Sequence, residues 1–267
     1  MRWMRLMAEH RTVFLMYHEL EEPGRPLCQA DPGYVRYVLR SSDFRAQMQS
    51  LKNRGWRGIS VGEALGHQRE SVAITFDDGS ETDLICAAPI LRELGFGATF
   101  YITAGFIGKR GYLNPSQLRE LGALGFEIGC HSMTHAYLTD LDDKGVHREV
   151  AEAKSQLEQI ICHPVEHFSC PGGRHKQRVS EIARRAGYRT LATSRMQSNS
   201  ALSNPYALGR VAVMRATSLV RFDDLCSGRG LWRRRLLTQL RGATRELLGN
   251  SVYDRLRSVL LRPSPPR

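Results

Sequence analysis

Short apolar, β-branched runs alternate along this chain with longer segments whose apolar positions recur at helical spacing. Runs at 12–18, 72–76, 98–103, 127–130, 166–170, 190–194 and 210–214 read as seven strands. Helices are expected over 82–94, 114–124, 142–161, 176–186 and 218–225, several with punctuation. Gly95, Gly125 and Gly187 follow predicted helix ends, and Pro115 stands in a first turn. Ser42 or Asp43 is a suitable N-cap for a further helix carrying Phe44, Met48 and Leu51 and ending near Gly55. Residues 21–42, rich in Pro and Gly, read as loop with one short strand at 34–39. Such alternation argues a parallel sheet covered by helices, either a barrel or a doubly wound sheet.

The run 72–76 ends in Asp77-Asp78-Gly79. On a strand, adjacent side chains point to opposite faces, but a turn at the strand's end can bring both to one cavity. A helix N-cap needs one carboxylate, not two. A second strand-like run, 126–130, leads directly into His131-Ser132-Met133-Thr134-His135. Two histidines four apart, with a strand-terminal carboxylate, form a ligand set for a divalent transition metal that keeps positions open for water. Asp78, His131 and His135 are the candidate ligands.

Composition narrows the picture. The 267 residues and 42% hydrophobic content suffice for one large domain. Six cysteines stand without paired spacing and read as small buried apolar residues in a reducing compartment. The apolar run 13–17 is too short for a signal-peptide core or a membrane span, which points to a cytoplasmic protein. The net charge is +11, but 229–267 holds ten arginines against Glu246 and Asp254, and 10 − 2 = +8 of that excess. Leucines and valines recur at helical spacing among those arginines, with a break near Gly249-Asn250 and a Pro-rich end. We read a domain at 1–228 and a basic, amphipathic helical tail at 229–267 whose last residues are disordered. Such a tail suits peripheral contact with an anionic membrane at its inner face. It lacks the interleaved aromatics of a nucleic-acid binder, so nucleic acid is not expected as a partner.

Thr-Phe-Asp-Asp-Gly at 75–79 and His-Ser-Met-Thr-His at 131–135 resemble the first two motifs of the polysaccharide deacetylases, carbohydrate esterase family 4, also called the NodB-homology domain. The resemblance spans about 12–225. The segments at 15–18 and 42–48 are similar to a branch linked to exopolysaccharide synthesis. It implies a distorted (β/α)7 barrel and removal of an N-acetyl group from an amino sugar in a polysaccharide, oligosaccharide or lipid-linked glycan, with a bound divalent ion. Zinc is the first choice, cobalt or manganese the alternatives.

By the same resemblance Asp77 is the general base and Asp78, His131 and His135 the metal ligands. Ser169-Cys170-Pro171-Gly172-Gly173 is the third motif, with the Gly172 N–H as oxyanion donor. The chain departs from the family pattern in three places. Ser169 stands where the family has the arginine that steadies the catalytic aspartate, and Arg174 is the expected substitute. No acidic fourth motif is recognisable in 193–200. No histidine follows 210–213 to protonate the leaving amine, so His18 is the expected acid and His175 the second candidate. These departures leave one alternative, a catalytically inactive carbohydrate-binding or scaffold protein on the same fold.

Overall fold

A strand of eight consecutive buried residues, β5 (Ser71–Asp78), is the axis of the architecture in a computed structural model that describes residues 11–66, 70–228 and 231. Its neighbours are β1 (Val13–Tyr17), β4 (Arg57–Ile59), β6 (Thr99–Ile102), β7 (Glu127–Cys130), β8 (His167–Ser169), β9 (Thr190–Ala192) and β10 (Val211–Ala212). The order is β10-β1-β5-β6-β7-β8-β9, and every pairing is parallel. β4 and β6 share one edge of β5. Gly58 pairs with Val72 on the first half, and Phe100 pairs with Phe76 on the second. Two short strands, β2 (Leu20–Glu21) and β3 (Leu39–Arg40), pair apart from this sheet.

The sheet curls until segment 208–213 spans its two edges. The Thr193 N–H donates to the Leu208 carbonyl on the β9 side (2.8 Å), and the Val213 N–H donates to the Met16 carbonyl on the β1 side (3.0 Å). The result is the curled α/β half-barrel expected of the (β/α)7 class.

Alternation along β5 divides the core. Val72, Ile74 and Phe76 join the large cluster between sheet and helices, while Ala73 joins a smaller interior cluster with Phe14, Tyr101 and Leu208. Phe76 stacks between Tyr17 and Phe100 at 5.2 and 5.0 Å, three buried rings within the large cluster. Gly129 on β7 leaves room for the interior Tyr101 ring, since a β-carbon there would lie 2.4 Å from Tyr101 Cδ1.

Three local expectations change. The strand foreseen at 34–39 is a helix, Pro32–Val35, followed by β3. Asp31 caps that helix by accepting from the Gly33 and Tyr34 N–H groups, with Pro32 in the first turn. The helices at 82–94 and 142–161 each contain a π-helical turn, Asp83–Ala87 and Arg148–Glu152. The basic segment 232–267 lies outside the described residues, as do 229–230. Among the described residues no helix is long and apolar enough to cross a membrane.

Candidate active site

Because the strands are parallel, their C-terminal ends open onto one rim, where barrel enzymes carry their chemistry. Asp77 continues the interior parity of Ala73. Asp78 belongs to the opposite face, but its backbone is left-handed (φ 82°), as is that of Gly79 (φ 83°). The strand therefore breaks at Asp78, and both carboxylates face His131, with His135 beside Asp78. Ser132 (φ 70°) and His135 (φ 64°) are likewise left-handed. Each costs on the order of 1 kcal/mol, and three such residues concentrated in two ligand segments mark a site held in place by its surroundings.

His131 Nε2 lies 3.7 Å from Asp78 Oδ1, and His135 Nε2 lies 3.5 Å from the same oxygen. The three ligand atoms all fall within 4.8 Å of one another. Tetrahedral ligands at about 2.0–2.1 Å from an ion stand roughly 3.3 Å apart, so the trio needs little movement to grip one. Two details fit a cation. Asp78 Oδ1 is buried without a hydrogen-bond partner. His131 Nδ1 donates to the Ser169 carbonyl (2.9 Å), which leaves Nε2 with its lone pair toward the carboxylates. Burial pushes the His131 pKa down to about 4, against the pull of Asp77 and Asp78, so the ring is the neutral ligand form.

Asp77 is the best-anchored acid in the site. Arg210 donates to both its oxygens, Nη1 to Oδ1 at 2.7 Å and Nη2 to Oδ2 at 2.8 Å. Burial alone would raise the Asp77 pKa, but Arg210, with His131 in support, holds it well below the usual carboxylate range. Arg210 is itself fully buried. Its other contacts are Ser169 Oγ (2.6 Å), the Thr193 carbonyl (3.2 Å) and Thr75 Oγ1 (3.2 Å). The steadying arginine is therefore Arg210 and not Arg174. Ser169 retains a place in the arrangement by accepting from the arginine that arrives from the opposite side of the barrel.

Arg174 lies instead over the ring of Tyr137, 3.4 Å from guanidinium carbon to centroid. Pro171, Gly172 and Gly173 form a tight turn after β8, with Gly172 and Gly173 left-handed (φ 60° and 66°). His18 follows β1, its ring 4.9 Å from that of Tyr37 and its Nδ1 buried without a hydrogen-bond partner. Burial lowers its pKa, while Asp78 and Asp77 pull the other way, which places it in the field of the site. His175 turns to Ser180 Oγ (2.6 Å).

Two acids escaped the sequence reasoning, and both sit in the π-helical turns. Glu149, 1% exposed, accepts from the Met133 N–H (3.0 Å), the Thr134 N–H (2.8 Å) and the Thr134 hydroxyl (2.7 Å). It thus holds the loop between the two histidines. Asp83 is fully buried with neither oxygen hydrogen-bonded, and burial, with Asp78 nearby, raises its pKa well above the usual range. A π-turn widens the helix by one residue and re-aims the side chains it carries, a device common at functional sites. The only signal in the sequence was an acid on an otherwise core-facing stretch of helix.

Comparison with known proteins finds similar chains over much of the sequence. The family model described as polysaccharide deacetylase matches residues 65–191. YxkH of Bacillus subtilis is 26% identical over 218 residues, covering 79% of this chain and 74% of its own length. The peptidoglycan-N-acetylglucosamine deacetylase of Bacillus cereus is 33% identical over 135 residues, covering 50% of this chain and 61% of that protein. Among solved structures, the Streptococcus pyogenes deacetylase PplD in complex with acetate shares the fold, with a TM-score of 0.71 at 22% identity over 81% of this chain and 98% of that one.

Proposed function

We propose that this chain, whose residues 65–191 belong to the polysaccharide deacetylase family, removes an N-acetyl group from an amino sugar in a polysaccharide, oligosaccharide or lipid-linked glycan. The observation that carries this reading is the convergence of Asp78, His131 and His135 beside an ionised, arginine-clamped Asp77.

Asp78, His131 and His135 would hold a divalent ion, with zinc as our first choice. When bound, it supplies Lewis acidity that lowers the pKa of water and polarises the acetyl carbonyl. Asp77, fixed by Arg210, takes the proton from the attacking water. The Gly172 N–H, in its exposed turn, is the donor for the tetrahedral oxyanion. Pro171 and Gly173 set that turn, and the lack of a side chain at Gly172 makes room for the edge of the Tyr137 ring. His18 relays to the leaving amine the proton that Asp77 takes from the water. We place the enzyme in the cytoplasm, with the basic segment 229–267 as a peripheral anchor to anionic lipid.

The test is acetate release from a panel of N-acetylated glycans, with and without chelator. Chelation abolishes release. Asp77→Asn stops turnover while the ion still binds, and Asp78→Ala loses the ion. Ion binding without acetate release from any glycan by the wild type selects the inactive carbohydrate-binding alternative.

A further inference from the structure

Two residues beyond His135, Tyr137 stands at the rim with 37% of its surface exposed. It is held from two sides. The Arg174 guanidinium lies over the ring at 3.4 Å, and Arg174 is itself 7% exposed, with Nη1 3.7 Å from Asp140 Oδ2. The ring's edge leans on Gly172, where a β-carbon would lie 2.7 Å from Tyr137 Cε1. The geometry therefore fixes an open aromatic beside the turn that carries Gly172, in the strand-end loops that also carry His131 and His135.

A flexible surface tyrosine would need no such bracing. A buried cation over an aromatic ring stiffens it and takes up part of its π-surface, so the ring cannot fold inward. What remains exposed is a rigid, amphipathic surface that loses little conformational entropy when a ligand covers it. The axial C–H face of a pyranose is a flat apolar surface of matching size, edged by hydroxyls. We propose that Tyr137, braced by Arg174, is the platform on which the sugar unit next to the deacetylated one stacks, making the site selective for oligomers over monosaccharides. This inference rests on the deacetylase reading, and it gives Arg174 a positioning role.

The experiment uses the full chain with N-acetyl-D-glucosamine and its pentamer, in β-1,4 and β-1,6 series, and two readouts. One is pentamer binding by titration calorimetry. The other is the pentamer-to-monomer ratio of kcat/KM for acetate release. Tyr137→Ala is expected to weaken pentamer binding and lower that ratio by roughly tenfold, the scale of losing one well-packed aromatic contact. Tyr137→Phe keeps both, and Arg174→Gln loses part of each through KM. Pentamer binding and selectivity unchanged in Tyr137→Ala overturn the platform. A wild type that binds the pentamer through Tyr137 yet releases no acetate overturns the deacetylase reading and supports the platform.

Discussion

Replacing Arg210 by methionine removes the guanidinium while keeping most of the side chain's length. Asp77, 2% exposed, is then left with its charge and without its two-pronged donor. Breaking one side of a buried ion pair costs about 3–5 kcal/mol, because the remaining charge stays desolvated. That is a large part of the roughly 5–15 kcal/mol that holds a typical domain together. Asp77→Asn strands Arg210 in the same way, so each single variant should be destabilised. The double variant, Arg210→Met with Asp77→Asn, has neither charge to desolvate and should regain about 2 kcal/mol or more relative to the sum of the singles. Urea unfolding in the presence of chelator measures all four proteins without the stabilisation a bound ion would add. Additivity within about 0.5 kcal/mol would refute the claim that the two side chains form one energetic unit. The cycle also matters for function, since Asp77→Asn activity must be read against the stability of that variant.

Glu149→Met keeps the side chain's length but removes Oε2, the acceptor shared by the Met133 and Thr134 N–H groups, and Oε1, the acceptor of the Thr134 hydroxyl. Affinity for cobalt(II), followed by its absorption bands, should fall on the order of 10–100-fold with the unfolding midpoint changed far less; equal affinity would show that the loop holds its shape without the acid. Glu127 should shape the acid limb of stability. Its carboxylate accepts from Thr99 Oγ1 (2.5 Å), Ser60 Oγ (3.1 Å) and the Gly62 N–H (2.9 Å), with His167 Nε2 at 3.4 Å. Burial alone would raise its pKa, but His167 and these donors bring it below the ordinary value. A lowered carboxyl pKa adds stability that is complete above the unfolded value of about 4.3 and is lost as pH falls through the folded value. Glu127→Gln should thus be less stable than wild type at neutral pH, with the gap closing under acid; a gap independent of pH would exclude this carboxylate as the source.

The cluster of Asp78, His131 and His135 and its neighbour Asp77 were legible because each stands at a strand's end within a contiguous motif. Arg210 was not, because it reaches Asp77 across 133 positions of chain and through a parallel closure that no local pattern announces. The sequence pattern placed a strand at 210–214, yet nothing in its alternation says which neighbour the strand meets or that its first side chain turns inward. The π-turns were hidden for a related reason. One extra residue at Asp83–Ala87 or Arg148–Glu152 leaves apolar spacing nearly helical while rotating the acid toward the rim. At 34–39 the aromatic and β-branched residues argued strand, but Asp31 and Pro32 start a helix just before them, and local capping prevailed over propensity.

Segment 208–213 is at once the seam of the barrel and the carrier of Arg210. A nascent chain that has left the ribosome only as far as β9 would hold the acid pair and the two imidazoles with no guanidinium beside Asp77. The Arg210–Asp77 ion pair therefore forms only once β10 has joined the sheet. Any truncation or circular permutation that opens the molecule at this joint removes the Arg210 clamp and the strand that closes the sheet together.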